Sequence, residues 1–186
     1  KPVAFGVGET VSVKWDAVEN ATDYKLFKQN ADGQWNVVYS GADATEYVDT
    51  DVSTGNKYSY SLVVEKDGQY SSFDTKGVTA YCLAEPKITS IKSSVDNSIL
   101  LKWNKVEGAT GYIVYKRANG TSSWTEVASV DGNTLSVNDS AITSGVVYEY
   151  TACAVKGDSS SGLAEIKTVQ YVGIVSKVTL ANANGG

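Results

Sequence analysis

Apolar positions along the chain alternate with period two in short runs. Val11, Val13 and Trp15 form one such run, and Tyr58, Tyr60, Leu62 and Val64 form another. Alternation of this kind marks a strand with one buried face, because successive side chains of an extended backbone point to opposite sides. Turn-forming clusters separate the runs: Asn30 to Gly33, Asp67-Gly68, Asn119-Gly120 and Asp131 to Asn133. Strands are predicted at 2–6, 9–15, 23–29, 34–39, 45–49, 56–66 and 70–82, and again about 88 to 90 residues later.

The second set follows from an internal repeat. Residues 11–27 read VSVKWDAVENATDYKLF and residues 99–115 read ILLKWNKVEGATGYIVY. Trp15 and Trp103, Val18 and Val106, Ala21 and Ala109, and Tyr24 and Tyr112 stand 88 residues apart. Correspondence continues through Trp35 and Trp124, Asp49 and Asp139, Gly55 and Gly145, Tyr58 and Tyr148, and Tyr60 and Tyr150. Seven antiparallel strands in some 90 residues make a two-sheet sandwich. The expected fold class is therefore all-β, with two tandem immunoglobulin-like, seven-stranded sandwiches over 1–84 and 85–175. Residues 176–186 align with the first strand of the second module. They are either the start of a truncated third module or a C-terminal extension that completes a sheet. The linker around Pro86 has no Gly or Ser stretch and should hold the modules in a preferred, elongated arrangement.

Two motifs carry a family resemblance. The string Trp-x-x-Val-x-x-Ala-Thr-x-Tyr, at 15–24 and 103–112, resembles the second and third strands of bacterial fibronectin type III modules. Val52-x-x-Gly55-x-x-Tyr58-x-Tyr60, repeated as Ile142-x-x-Gly145-x-x-Tyr148-x-Tyr150, is similar to that family's tyrosine corner, in which a buried phenol bonds back to the preceding turn. The resemblance implies this fold and a secreted or surface-exposed bacterial protein. It implies no active site. Trp15, Tyr24, Tyr58, Tyr60, Trp103, Tyr112, Tyr148 and Tyr150 are the expected structural core.

Composition agrees with strands: 42% hydrophobic residues, 12 Tyr, 4 Trp, 2 Pro and no Met. The net charge of −5, with Lys116-Arg117 as the longest basic run, argues against nucleic acid as a partner. All of the net acidity lies in residues 1–84, which hold 7 basic and 12 acidic side chains. No run of 18 apolar residues occurs, and no membrane insertion is expected. Cys82 and Cys153 fall in different modules at positions that do not correspond, so two free thiols are expected.

Catalytic chemistry has little to work with. The absence of His removes Ser-His-Asp triads, Cys-His dyads and His-ligated zinc, and no Gly-rich phosphate loop is present. The chain is read as a non-enzyme with no cofactor and no metal. Asp49 to Asn56 places oxygen-bearing side chains at alternate positions, but Gly55 and Tyr60 stand where a calcium loop needs other residues, and a solvated turn explains the segment. Trp35 and Trp124 are candidates for stacking against a ligand, with packing as the simpler reading; Tyr39, Tyr47, Tyr70, Tyr81 and Tyr171 are further candidates. Lys156-Gly157-Asp158 reads as a hairpin turn, and the Asn-x-Ser/Thr triplets at Asn20, Asn119 and Asn138 as chance. The function expected is a non-catalytic spacer within a larger secreted or cell-surface bacterial protein, a monomer whose partners are the neighbouring domains of its own polypeptide. The alternative is a binding module for a polysaccharide or a surface protein.

Overall fold

The computed structural model describes residues 1–94 and 96–173. The predicted tail strand at 176–186 lies outside the described residues. Two β-sandwiches follow one another along the chain, and no helix occurs among the described residues.

In the first, one sheet consists of β1 (Val3–Val7), β2 (Thr10–Lys14) and β5 (Glu46–Asp49). The facing sheet has the order β4 (Trp35–Gly41), β3 (Asp23–Gln29), β6 (Asn56–Lys66) and β8 (Val78–Cys82), with the two-residue β7 (Gln69–Tyr70) also paired to β6. The second repeats this plan. Its sheets are β9 (Ile88–Ser93), β10 (Ile99–Trp103) and β13 (Ser136–Asp139), and β12 (Thr125–Asp131), β11 (Gly111–Ala118), β14 (Val147–Lys156) and β16 (Lys167–Gln170), with β15 (Ser159–Ser160) paired to β14.

Alternation along these strands builds two separate cores. Val11, Val13, Trp15, Tyr24, Leu26 and Tyr60 fill the first; Ile99, Leu101, Trp103, Tyr112, Val114 and Tyr150 fill the second. Each outermost strand, β4 and β12, carries a bulge at the same repeat position, opposite Leu26/Phe27 and Val114/Tyr115. An irregular edge of that kind discourages pairing with further chains.

The seventh strand differs from its prediction in both modules. It starts beside the sixth, leaves it, and returns as β8 or β16. A buried hydroxyl on the sixth strand bonds to the detour in each module. Ser61 Oγ donates to the Asp74 carbonyl at 2.8 Å, and Thr151 Oγ1 donates to the Ala164 carbonyl at 2.7 Å. These side chains take the place of ladder partners, so the backbone bulges outward without stranding a polar group.

Candidate functional site

Three features have enough chemistry to be weighed as sites: a polar cluster inside each module, the joint between modules, and an open groove on the second.

Asp49 and Asp139 close the fifth strand of each module and are almost completely buried. In the first module the Tyr60 phenol donates to Asp49 Oδ2 at 2.6 Å, Lys28 Nζ stands 2.8 Å from the same oxygen, and the Asp51 amide donates to Oδ1 at 3.0 Å. The second module repeats this, with Tyr150 at 2.7 Å, Lys116 at 2.7 Å and the Ala141 amide at 3.0 Å from Asp139. Lys28 and Lys116 also donate to the carbonyls of Asp51 and Ala141. Their ammonium groups lie 4.9 and 5.5 Å from the ring centres of Tyr58 and Tyr148. Burial first, and then the bond to the aspartate, push the Tyr60 and Tyr150 phenols far above the ordinary tyrosine range. Every oxygen of Asp49 is thus spent within the protein, and the segment that resembles a calcium loop turns its first carboxylate inward. Among the described residues no cluster of three or more His, Cys, Asp or Glu side chains could hold a metal.

Two further phenols lock turns. Tyr58 accepts the Ser53 amide at 2.7 Å and Tyr148 the Thr143 amide at 2.9 Å, with Gly55 and Gly145 at φ +87° and +84° in the turns they close. Tyr24 and Tyr112 accept the Val18 and Val106 amides at 2.7 and 2.8 Å. Trp15, Trp103, Tyr24, Tyr60, Tyr112, Tyr148 and Tyr150 are buried, and Tyr58 is half-buried. Neither Trp15 nor Trp103 finds an acceptor for its indole N–H among the described residues, so both act by shape.

The joint is formed by residues that break the repeat. β15 of the second module lies parallel to β1 of the first, with Val7 opposite Ser160. Ser159 Oγ accepts two backbone amides of the first module, Gly6 and Tyr81, each at 3.0 Å. A side chain on Gly6 would run into the Tyr81 carbonyl, and one on Gly162 into the Glu85 carboxylate. Lys156 Nζ sits 4.0 Å from the centre of the Tyr81 ring. Leu83, in the linker, packs in the second core. At the corresponding repeat positions Gly6 is replaced by Ser93, Ser159 by Gln69 and Gly162 by Ser72.

The groove, of about 600 Å³, opens on the outer face of the four-stranded sheet of the second module, against Val7 and Gly8. Tyr115, Trp124, Cys153 and Leu163 line it. Arg117 lies 4.3 Å from the Trp124 ring and is held by Glu149 at 2.5 Å. Burial pushes the Cys153 and Cys82 thiols up, and both cysteines are free. Trp35, by contrast, packs edge-on to Phe73 at 5.4 Å. Tyr39 and Tyr47 pack on the first core and Tyr171 in the second; Tyr81 belongs to the joint, and exposed Tyr70 accepts Lys25 at 2.7 Å. The two candidate stacking residues therefore have different surroundings.

The order of strands in each sandwich, with a three-stranded sheet facing a four-stranded one, decides the architecture. The fold is that of tandem fibronectin type III domains. A chicken contactin-1 fragment spanning its first to third fibronectin domains matches with a TM-score of 0.54 at 13% identity, over 91% of this chain and 62% of that one. This chain thus spans about three fifths of that fragment. A two-domain segment of chicken tenascin aligns over 92% of this chain and 98% of its own length at 20% identity, with a TM-score of 0.47. No protein-family model matches the sequence, and no curated protein matches it. At these identities the likeness concerns the fold.

Sequence reasoning reached Asp49, Asp139 and the tyrosines but missed Lys28 and Lys116, which are identical residues 88 apart and were legible in the repeat. It also missed Ser159 and Gly6, because a search for repetition passes over the positions that depart from it.

Proposed function

We propose that the chain is a stiff, non-catalytic spacer within a larger secreted or cell-surface bacterial protein, setting the distance and angle between neighbouring domains. The joint is the observation that supports this most. A spacer must resist bending, and bending here would strip Ser159 from two amides, unpair β15 from β1 and draw Leu83 out of the second core. Exchanging these hydrogen bonds for bonds to water costs about 0.5–1.5 kcal/mol each.

NMR relaxation of the two-module chain tests the reading. Amides in both modules should report one shared rotational correlation time, and Ser159→Ala should split it into two faster ones. Independent tumbling of the modules in the parent chain would sink the spacer reading. Retention on immobilised starch, plant polysaccharide, mucin or peptidoglycan would favour a binding module instead.

A further inference from the structure

The turn between the third and fourth strands is built differently in the two modules. Asn30 and Asn119 hold the same place in it, each five residues before the corresponding tryptophan, Trp35 or Trp124. In the first module Asn30 Oδ1 accepts the backbone amides of Asp32 and Gln34, at 3.1 and 2.8 Å, and Ala31 follows. In the second module Gly120 follows, in the one Asn-Gly pair among the described residues. The Asn119 amide donates to the Val147 carbonyl at 2.9 Å and the Thr121 amide to the Ala118 carbonyl at 3.0 Å. Between them, the exposed Asn119 side chain and the Gly120 amide bond to nothing among the described residues. A Cβ placed on Gly120 would find no neighbour within 4 Å.

We propose that Asn119-Gly120 is a self-modification site, which converts with time to aspartate and isoaspartate. Asparagine is a chemically labile side chain, and its lability depends on the backbone nitrogen that follows it. That nitrogen must be able to lose its proton and to reach the side chain. The Gly120 N–H is unbonded, and glycine has no side chain to block the approach. The Gly120 nitrogen gives its proton to solvent hydroxide and attacks Asn119 Cγ. As that bond forms, the Cγ–Nδ2 bond breaks, and the side-chain nitrogen leaves as ammonia with a proton returned by water. The five-membered imide then takes up one water and opens at either carbonyl. One opening gives aspartate; the other gives isoaspartate, with the chain running through the side-chain carbon. Asn30 is protected twice, by the Ala31 side chain and by two hydrogen bonds that hold its carboxamide away from the chain. Asp131-Gly132 is protected too: a carboxylate is a poorer electrophile than a carboxamide, and the Gly132 amide is spent on the Thr110 carbonyl. Either product adds a negative charge to the part of the chain after residue 84, whose 9 basic and 9 acidic side chains otherwise balance. The charge arises two residues from Arg117, which lies 4.3 Å from the Trp124 ring. Isoaspartate also lengthens the backbone inside the turn that the Thr121 amide closes. None of this depends on the stiffness of the joint.

The test is ageing of the intact, folded chain at physiological temperature and mildly alkaline pH, with the urea-unfolded chain as the reference for an unrestrained Asn-Gly pair. The tryptic peptide from Ala118 to Lys156 should gain one mass unit, with fragment ions placing the gain at Asn119 and two chromatographic forms for the two products. The folded rate should lie within about tenfold of the unfolded one and rise with pH, since the deprotonated nitrogen attacks. Gly120→Ala should slow conversion by about tenfold or more. Because alanine strains a residue at φ +86°, Ala31→Gly supplies an independent variant. It gives Asn30 the same following residue but leaves its two hydrogen bonds, so Asn30 should still convert about tenfold more slowly than Asn119 in the same chain. A folded rate far below the unfolded reference, a gain placed at another asparagine, or equal conversion of Asn30 and Asn119 in the Ala31→Gly chain would each overturn the proposal.

Discussion

Replacing Tyr150 with Phe removes one hydroxyl from a fully buried ring and one bond from a buried carboxylate. The phenol donates to Asp139 at 2.7 Å, and Asp139 retains Lys116 and the Ala141 amide. A hydrogen bond to a charged partner contributes about 1.5–3 kcal/mol, so Tyr150→Phe should destabilise the second module by roughly 2 kcal/mol. Asp139→Ala is harsher. It leaves the Lys116 ammonium, on a side chain only 12% exposed, without its counter-charge, and breaking a buried pair in this way costs about 3–5 kcal/mol. The diagnostic result is the double variant. Once Asp139 is gone the phenol has lost its acceptor, so adding Tyr150→Phe should cost nothing or stabilise slightly, a coupling of about 2 kcal/mol between the two sites. Urea titrations read by backbone amide resonances separate the two modules, and the midpoint should move without a change in slope. Equal cost of Tyr150→Phe in both backgrounds would falsify the assignment of Asp139 as the acceptor.

The same phenols predict alkaline instability. Their values are raised by burial and by the aspartate bond, so the folded chain keeps both protonated while the unfolded chain ionises near the ordinary value of about 10. Stability is therefore intact below about pH 10 and falls above it, by at most about 1.4 kcal/mol per pH unit for each phenol; the Tyr60→Phe/Tyr150→Phe chain should show a shallower fall in urea midpoint over that range. Gly6→Ala should destabilise the first module by about 1–3 kcal/mol through overpacking against the Tyr81 carbonyl, while Ser93→Ala, at the corresponding place, should change the urea midpoint little. Trp103→Ala should cost about 3–5 kcal/mol; Trp103→Phe should cost less, since it also removes an indole N–H that has no acceptor among the described residues, and thermal unfolding compares the two.

Repetition decided what could be read from the sequence. A position that matters to every module is written twice, and Trp15 with Trp103 or Tyr60 with Tyr150 stand out because the same packing problem is solved twice. The turn glycines Gly55 and Gly145 are legible for the same reason. The broken seventh strand was hidden, since Ser61 and Thr151 are unremarkable strand residues until their hydroxyls are seen bonded to a distant carbonyl. The joint and the groove were hidden more deeply. Each depends on the modules being different: Gly6 where the other has Ser93, Ser159 where the other has Gln69, Leu163 where the other has Phe73. In the structure Gly6 and Ser159 sit where the modules join, and Leu163 sits at the rim of the open groove beside it. Whatever this pair does that a single module could not do is therefore to be sought along that boundary, and substitutions there should alter geometry or binding while leaving each sandwich folded.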